Sequence, residues 1–364
     1  MDFQFSYEQD ALRDAVRAYL AREATGSYVR AMADDERGFA DESWREIAEL
    51  GWPGLLVPES AGGLGLGLLD MEVVLEEMGR RTFPGPFFSS AVLATLAARA
   101  LDEDDLLRQL ASGELRGTVA LEESGHGDPV DRVRASVRRR GSEWTATGEK
   151  PVVLDGHTAD WAIVAARTED GLGSFLLEAP RAEPVPTLDP TRKAGFLVLD
   201  DRRVTAVGPR GDHTAIWRRI VDDAAVMLCA ELVGVGDAAL ELAVEYAKVR
   251  VQFDRPIASF QAIRHKAVDM LHRLELARVG THWAAWCADV DDPARERAAA
   301  EAKSFVPEAI NFVTGEDIQI HGGVGFTWEC DAHFLFKRAK QNDVLLGYQG
   351  WHRARVADLV LEPA

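Results

Sequence analysis

Cysteine is almost missing from this sequence. Its 364 residues hold three, Cys229, Cys287 and Cys330. They are odd in number, far apart and without C-x-x-C spacing, which argues against a disulfide framework or a thiolate zinc site and suits a reducing compartment. Long apolar runs are missing too. No stretch of about 18 apolar residues occurs, and the opening MDFQFSYEQD is acidic with no apolar segment behind a basic start. Neither a membrane span nor an export signal is predicted, so a cytoplasmic protein is expected. Positive charge is in deficit, with 41 Lys and Arg against 60 Asp and Glu, a net charge of −19. Such a field repels phosphate backbones and anionic lipid heads, so no nucleic-acid and no membrane partner is expected. What remains is ordinary for a folded protein: 47% apolar and 28% charged residues, in a length that suggests two to three domains with a sizeable core.

The periodicity changes twice along the chain. Ser6 and Gln9 form a capping-box pattern ahead of Leu12, Val16, Tyr19 and Leu20, so a helix is predicted from Tyr7. Asp41 is read as the cap of a helix carrying Trp44 and Ile47, stopped by Gly51. A third helix is expected from Leu69 to Met78. From about residue 117 the period becomes two: Arg132, Arg134, Ser136 and Arg138 alternate with Val133, Ala135 and Val137, and Arg140-Gly141-Ser142 turns that strand back into Glu143 to Thr147. Short apolar runs follow at Trp161 to Ala166, Phe175 to Leu177 and Phe196 to Leu199. After about residue 212 the helical period returns, with one stripe from Val235 to Val249 and another from Phe260 to Leu274. Asp292-Pro293 opens a last segment towards Gln319, which Pro307 should kink or divide. Three domains are expected, 1–116 helical, 117–211 β and 212–364 helical. Segregated blocks of this kind predict an α+β, mainly α fold rather than a doubly wound sheet.

Several site readings fall away. Neither Gly63-Leu64-Gly65 nor Gly323-Val324-Gly325 completes a dinucleotide fingerprint, because Leu68 and Trp328 stand where the third glycine belongs and no strand precedes either. His265 with His272, or Glu329 with His333, lack HExxH spacing and thiolate support, so no metal is expected. The arginines at 132, 134 and 138–140 read as a solvated strand face.

Two segments are more specific. One runs from Tyr246 through Arg250-Val251-Gln252-Phe253 to Gln261; the other is Gln319-Ile320-His321-Gly322-Gly323-Val324-Gly325-Phe326-Thr327. In that order, behind a small β domain and together with Pro58-Glu59 to Gly65 and Glu76-Glu77, the chain resembles the acyl-CoA dehydrogenase family over nearly its whole length. The resemblance implies an N-terminal helical domain, a middle antiparallel β domain and a C-terminal four-helix bundle. It also implies FAD, an acyl-CoA substrate and a dimer or tetramer. In it Arg250 reaches the diphosphate of a neighbouring subunit's FAD, Phe253 packs near its adenine, and Gln319, Gly322 and Gly323 receive the same ADP half; Gln252 and Gln261 belong to the same cofactor segment. A guanidinium fork suits two phosphate oxygens, and glycines let backbone N–H groups approach a phosphate closely.

The sequence departs from the family where the reaction itself takes place. Desaturation needs a carboxylate to take the α proton while the β hydrogen leaves as hydride. The resemblance puts Leu346 at the usual glutamate position, and Ala224 and Ala225 at the base and arginine positions of the branch that uses an earlier helix. The flavin-contacting threonine becomes Leu121, and Trp-Ile-Thr becomes Val152-Val153-Leu154; Tyr348 and Gly350 replace two further residues of the ADP pocket. Asp223, beside Asp222, is a weak candidate base that reads more readily as a helix cap, and Glu231 is a carboxylate within the bundle. The expected function is therefore that of a base-lacking subunit completing the FAD site of a catalytic partner of the same fold, in α,β-desaturation of an acyl-CoA. The alternatives are a self-sufficient homo-oligomeric dehydrogenase with a relocated base and a flavin monooxygenase of the same fold.

Overall fold

The computed structural model describes residues 5–141 and 143–361, so the end of the turn expected at Arg140-Gly141-Ser142 lies outside the described residues at Ser142. By contacts the chain divides into two compact units. The first comprises the chain up to Arg30, Glu72–Phe83 and the chain from Ala225 on; the second comprises Ala31–Met71 and Pro84–Ala224.

The first unit is helical. α1 (Tyr7–Glu23) starts as its sequence predicts: Ser6 Oγ accepts from the Gln9 N–H, and Gln9 Oε1 accepts from the Ser6 N–H. Its Arg13 and Arg17 pair with Glu76 and Glu77 in the later part of α4 (Leu68–Arg80). Three long helices follow, α7 (Thr214–Val249), α8 (Gln261–Asp289) and α9 (Arg295–His321), the last two packed on each other. α10 (Ala332–Val344) and α11 (Gln349–Leu361) complete the unit. On α7 only Val235 and Ala239 of the predicted stripe Val235, Ala239, Leu242, Tyr246 and Val249 are buried; the buried face continues through Ala243 and Ala247, leaving Leu242 and Tyr246 half-buried and Val249 exposed. α4 and α7 meet backbone to backbone, because Gly79 and Gly234 carry no Cβ. A Cβ on Gly234 would lie 1.8 Å from the Glu76 carbonyl oxygen, and one on Gly79 would lie 2.1 Å from that of Glu231.

Three further expectations shift. Pro307 is buried inside α9 without dividing it, since packing along the rest of the helix outweighs the one hydrogen bond its missing N–H forfeits. Asp292 precedes α9 rather than capping it directly, with its carboxylate accepting from the Ala294 N–H. On α8 only Met270 and Leu274 of the predicted stripe are buried. The buried face continues through Ala277, Thr281 and Ala285, leaving Val268, Leu271, Leu276 and Val279 exposed.

The second unit holds α2 (Gly26–Asp34) from Ala31 on, α3 (Asp41–Glu49), a wholly buried π-helical stretch Phe87–Ala94 running into α5 (Thr95–Ala100), α6 (Asp104–Ser112) and the sheet. Asp41 is the first residue of α3, not its cap; its carboxylate is taken by Arg37 at 2.9 Å. The strands are β1 (Gly117–Ala120), β2 (Ser136–Arg140), β3 (Glu143–Leu154), β4 (Trp161–Thr168), β5 (Gly171–Glu178), β6 (Glu183–Val185) and β7 (Ala194–Val207). β4, β2, β3, β7 and β5 pair in that order and β5 returns to β4, closing a ring, while β1 joins β4 and β6 joins β7. Pairing is antiparallel except that β1 and β2 each run parallel to β4. β2 is shorter than its alternation suggests, because the Arg134 and Ala135 N–H groups bond instead to the Glu123 carboxylate. Inside the ring Val137, Ala146, Val153, Val164, Phe175, Leu197 and Leu199 form one core.

Candidate functional site

The expected cofactor segments both fall in the first unit. α7 ends at Val249, and the chain turns through a two-stranded hairpin, β8 (Val251–Gln252) and β9 (Arg255–Pro256), before α8. Arg250 sits at the base of this hairpin. Its N–H donates to the Tyr246 carbonyl at 2.9 Å and its carbonyl accepts from Ile257 at 2.8 Å. Its guanidinium is exposed and makes no hydrogen bond or ion pair with any described residue. The tip residues Phe253 and Asp254 have φ of 54° and 62°. A two-residue hairpin turn demands that conformation of both positions and favours Asn or Gly there, yet it here holds a phenylalanine ring 86% exposed. Phe260 meets the Phe253 ring edge to face at 6.1 Å and carries the Arg255 guanidinium 4.2 Å above its face. Gln252 and Gln261 are exposed on either side.

The second segment ends α9. Gln319, Gly322 and Gly323 are exposed, and a Cβ added to either glycine would have nothing within 4 Å, so the backbone there is open to a ligand. The two segments converge. A cleft of about 150 Å³ is lined by Ala243, Ala247, Ala258, Ile263, Arg264 and, from the second segment, Ile320. The His321 ring stacks on Tyr246 at 4.3 Å. His321 and its partner Asp317 received no role in the sequence; the signal for them was an Asp and a His one helical turn apart at the end of an amphipathic helix.

The positions of the missing chemistry are aliphatic in both units. In the second, Leu121 is buried, and its carbonyl accepts from Lys150 Nζ, which also meets Glu123 Oε1 at 2.8 Å. Burial pushes the Lys150 amine down to about 8. Val153 belongs to the ring core, Leu154 is buried and Val152 is 36% exposed. Ala224 and Ala225, each in its own unit, are fully buried. In the first unit Leu346 is 5% exposed, with φ of 57°. His352 Nε2 holds the Leu346 carbonyl at 3.0 Å, and burial drives that imidazole down to about 3, so it is neutral.

The remaining carboxylates have partners. Asp222 is buried and Asp223 half-buried; both lie more than two turns inside α7, so neither caps its start, where Asp212 instead binds Thr214. Glu231 is held by Arg338 Nη1 and, at 2.7 Å, by Asn342 Nδ2, while Arg338 also reaches the Thr82 and Phe83 carbonyls. That network neutralises Glu231 within the fold and removes it as a base. Glu72, Glu76 and Glu77 on α4 are buried against His282, Arg278 and Arg17 respectively. Burial pushes Glu76 up to about 7. His333 lies between Trp328 and Phe334, and His265 and His272 are exposed. Among the described residues no three His, Cys, Asp or Glu side chains are grouped to hold a metal ion, and no helix is long and apolar enough to cross a membrane.

The arrangement fits FAD in part. An unpartnered guanidinium, an exposed aromatic ring and open glycine backbone suit a diphosphate and adenosine. Leu121, Val152 and Leu154 offer no polar side chain to a flavin ring, and Leu346 and Ala224 offer no proton acceptor.

Comparison with known proteins agrees with the expected family. Residues 6–114 match the acyl-CoA dehydrogenase N-terminal domain and residues 214–361 the acyl-CoA dehydrogenase C-terminal domain. The chain is 34% identical over 342 residues to acyl-CoA dehydrogenase IpdE2 of Mycobacterium tuberculosis, covering 93% of each. Among solved structures, a variant of the Tcur3481-Tcur3483 steroid ACAD is 33% identical with a TM-score of 0.89, covering 97% of this chain and 98% of the other. The ChsE4-ChsE5 complex from Mycobacterium tuberculosis is 29% identical with a TM-score of 0.90 and full coverage of both chains. The expected fold is therefore borne out, as is FAD as the cofactor that goes with it: the chain belongs to the acyl-CoA dehydrogenase family.

Proposed function

We propose that this chain is the base-lacking subunit of a heteromeric acyl-CoA dehydrogenase and completes the ADP end of a FAD held by a partner of the same fold. FAD, when bound, supplies the acceptor for the hydride that leaves the β carbon of a fatty or steroid-derived acyl-CoA. Arg250 grips the diphosphate with its guanidinium fork, and Gly322 and Gly323 bring backbone N–H groups to it. Phe253 covers the adenine, and Gln252, Gln261 and Gln319 offer amides to the adenosine. The proton acceptor belongs to the partner, because Leu346 and Ala224 have no titratable group. One observation carries the reading: the residues that would serve a neighbour's cofactor are exposed and ready, whereas those that would serve the chain's own are aliphatic. Two similar structures bear the names of paired proteins, Tcur3481-Tcur3483 and ChsE4-ChsE5, which is in keeping with a two-chain assembly. The apolar exposed face of α8 offers surface for one.

The test is co-expression with a homologue that retains the glutamate. Flavin absorbance should accompany the complex and be absent from the chain purified alone. Stoichiometric flavin and acyl-CoA oxidation by the lone chain would overturn the proposal in favour of a self-sufficient enzyme. In that case Asp223→Asn should cost about a hundredfold to ten-thousandfold in rate if Asp223 is the relocated base. Oxygen-dependent product formation would instead favour a monooxygenase.

A further inference from the structure

The two segments of the ADP end lie some seventy residues apart in sequence, and one side chain ties them together. His321 closes α9 immediately before Gly322 and Gly323. Its ring lies on that of Tyr246 with centroids 4.3 Å apart and planes 29° from parallel. Tyr246 is one turn before Arg250 and accepts the Arg250 N–H. On its other side His321 Nδ1 lies 2.9 Å from both the carboxylate and the backbone carbonyl of Asp317. Asp317 is fully buried, and no hydrogen bond from any other described group reaches its carboxylate. A buried carboxylate with one neighbour fixes that neighbour, since moving it away would leave the charge unbalanced.

We infer that His321 is a positioning residue that locks the Arg250 turn to the Gly322-Gly323 turn, with Asp317 setting its ring and Tyr246 receiving it, so that both parts of the ADP grip are in place before FAD arrives. This rests on the reading of those turns as the ADP end of a partner's FAD. Neither His321 nor Asp317 touches the cofactor in this account. Their effect is to spare the complex the ordering of two separate turns on binding.

The experiment is backbone hydrogen exchange of the full chain, together with flavin release from the co-expressed complex, for wild type, His321→Ala, Asp317→Asn and Tyr246→Leu. Tyr246→Leu breaks the tie from the half-buried side and keeps the test valid should His321→Ala fold poorly. Exchange at residues 250–257 and 322–327 should quicken together in each variant, and flavin should leave about tenfold faster, the scale of one lost aromatic pair. Loosening confined to 322–327, or flavin release equal to wild type, overturns the inference while the parent reading stands. A wild-type complex that holds no flavin overturns both.

Discussion

Replacing Gly234 by alanine should unfold the helical unit more readily, although the same change in an ordinary helix interior stabilises. An exposed helical Gly→Ala gains about 0.5–1 kcal/mol from propensity alone. At Gly234 the new methyl would sit 1.8 Å from the Glu76 carbonyl oxygen and 2.6 Å from its carbon. These are backbone atoms of α4, so no rotamer relieves the overlap, and the helices must part by more than an ångström. Overpacking of this kind costs about 1–3 kcal/mol and sometimes more. Here the separation also strains the Glu76–Arg278 pair at 2.9 Å and the Glu231–Arg338 contact. A net loss of about 3 kcal/mol is expected, or about 6–12 °C at 2–4 °C per kcal/mol. Gly280→Ala and Gly315→Ala are the matched controls: both lie in helices of the same unit, and an added Cβ meets nothing within 4 Å. Thermal unfolding followed by circular dichroism should show the first variant falling and the two controls level or rising. A Gly234→Ala protein as stable as its controls would refute the backbone contact between α4 and α7.

Arg250→Ala should weaken flavin retention by the co-expressed complex by about 1.5–3 kcal/mol, the range of a hydrogen bond to a charged group, and Arg250→Lys should recover only part of it, as read by equilibrium dialysis against free FAD. His352 is neutral in the folded chain with its pKa near 3, against about 6.5 when unfolded, so the unfolded state binds the extra proton. Its contribution is complete above pH 6.5 and is lost as pH falls towards 3; His352→Gln should flatten that limb of the urea-midpoint profile. Phe253→Gly should stabilise the isolated chain by up to about 1 kcal/mol by relieving the positive φ, while the complex releases flavin faster; loss of both stability and flavin would contradict the assigned role of the ring.

How much could be read in advance followed the range of the interaction. The capping box at Ser6 and Gln9 is complete within four residues, and it was legible. Asp41 looked equally local, yet Arg37, one turn earlier, competes for its carboxylate and moves the helix start. The return of the helical period after about residue 212 was legible, but Asp222 and Asp223 still read as caps because the first stripe assigned there begins at Val235, whereas α7 begins at Thr214 and runs unbroken to Val249. The fate of the buried carboxylates was beyond sequence altogether. Glu231 meets Arg338 and Asn342 from more than a hundred residues away, and no spacing rule connects them. Among the candidate site residues, the hairpin and the glycine turn were identified as motifs, whereas the His321–Tyr246 stack that brings them together depends on how two long helices end side by side.

Two strained residues sharpen the contrast between what the chain offers and what it lacks. Phe253 and Leu346 both hold a bulky side chain at positive φ, a conformation that is uncommon for non-glycine residues and strained for bulky ones. Leu346 is buried, and His352 clamps its carbonyl from within the same unit, so the fold itself maintains that strain. Phe253 has only the edge-to-face contact of Phe260 beside it: the ring projects into solvent from a two-residue turn where asparagine or glycine would sit more easily. Strain together with an exposed aromatic face disfavours the free chain on both counts, and a surface that covers the ring would remove the second. Under the proposed function the adenine of a partner's FAD supplies such a surface, with the adjacent Arg250 guanidinium and the open glycine backbone left for its diphosphate.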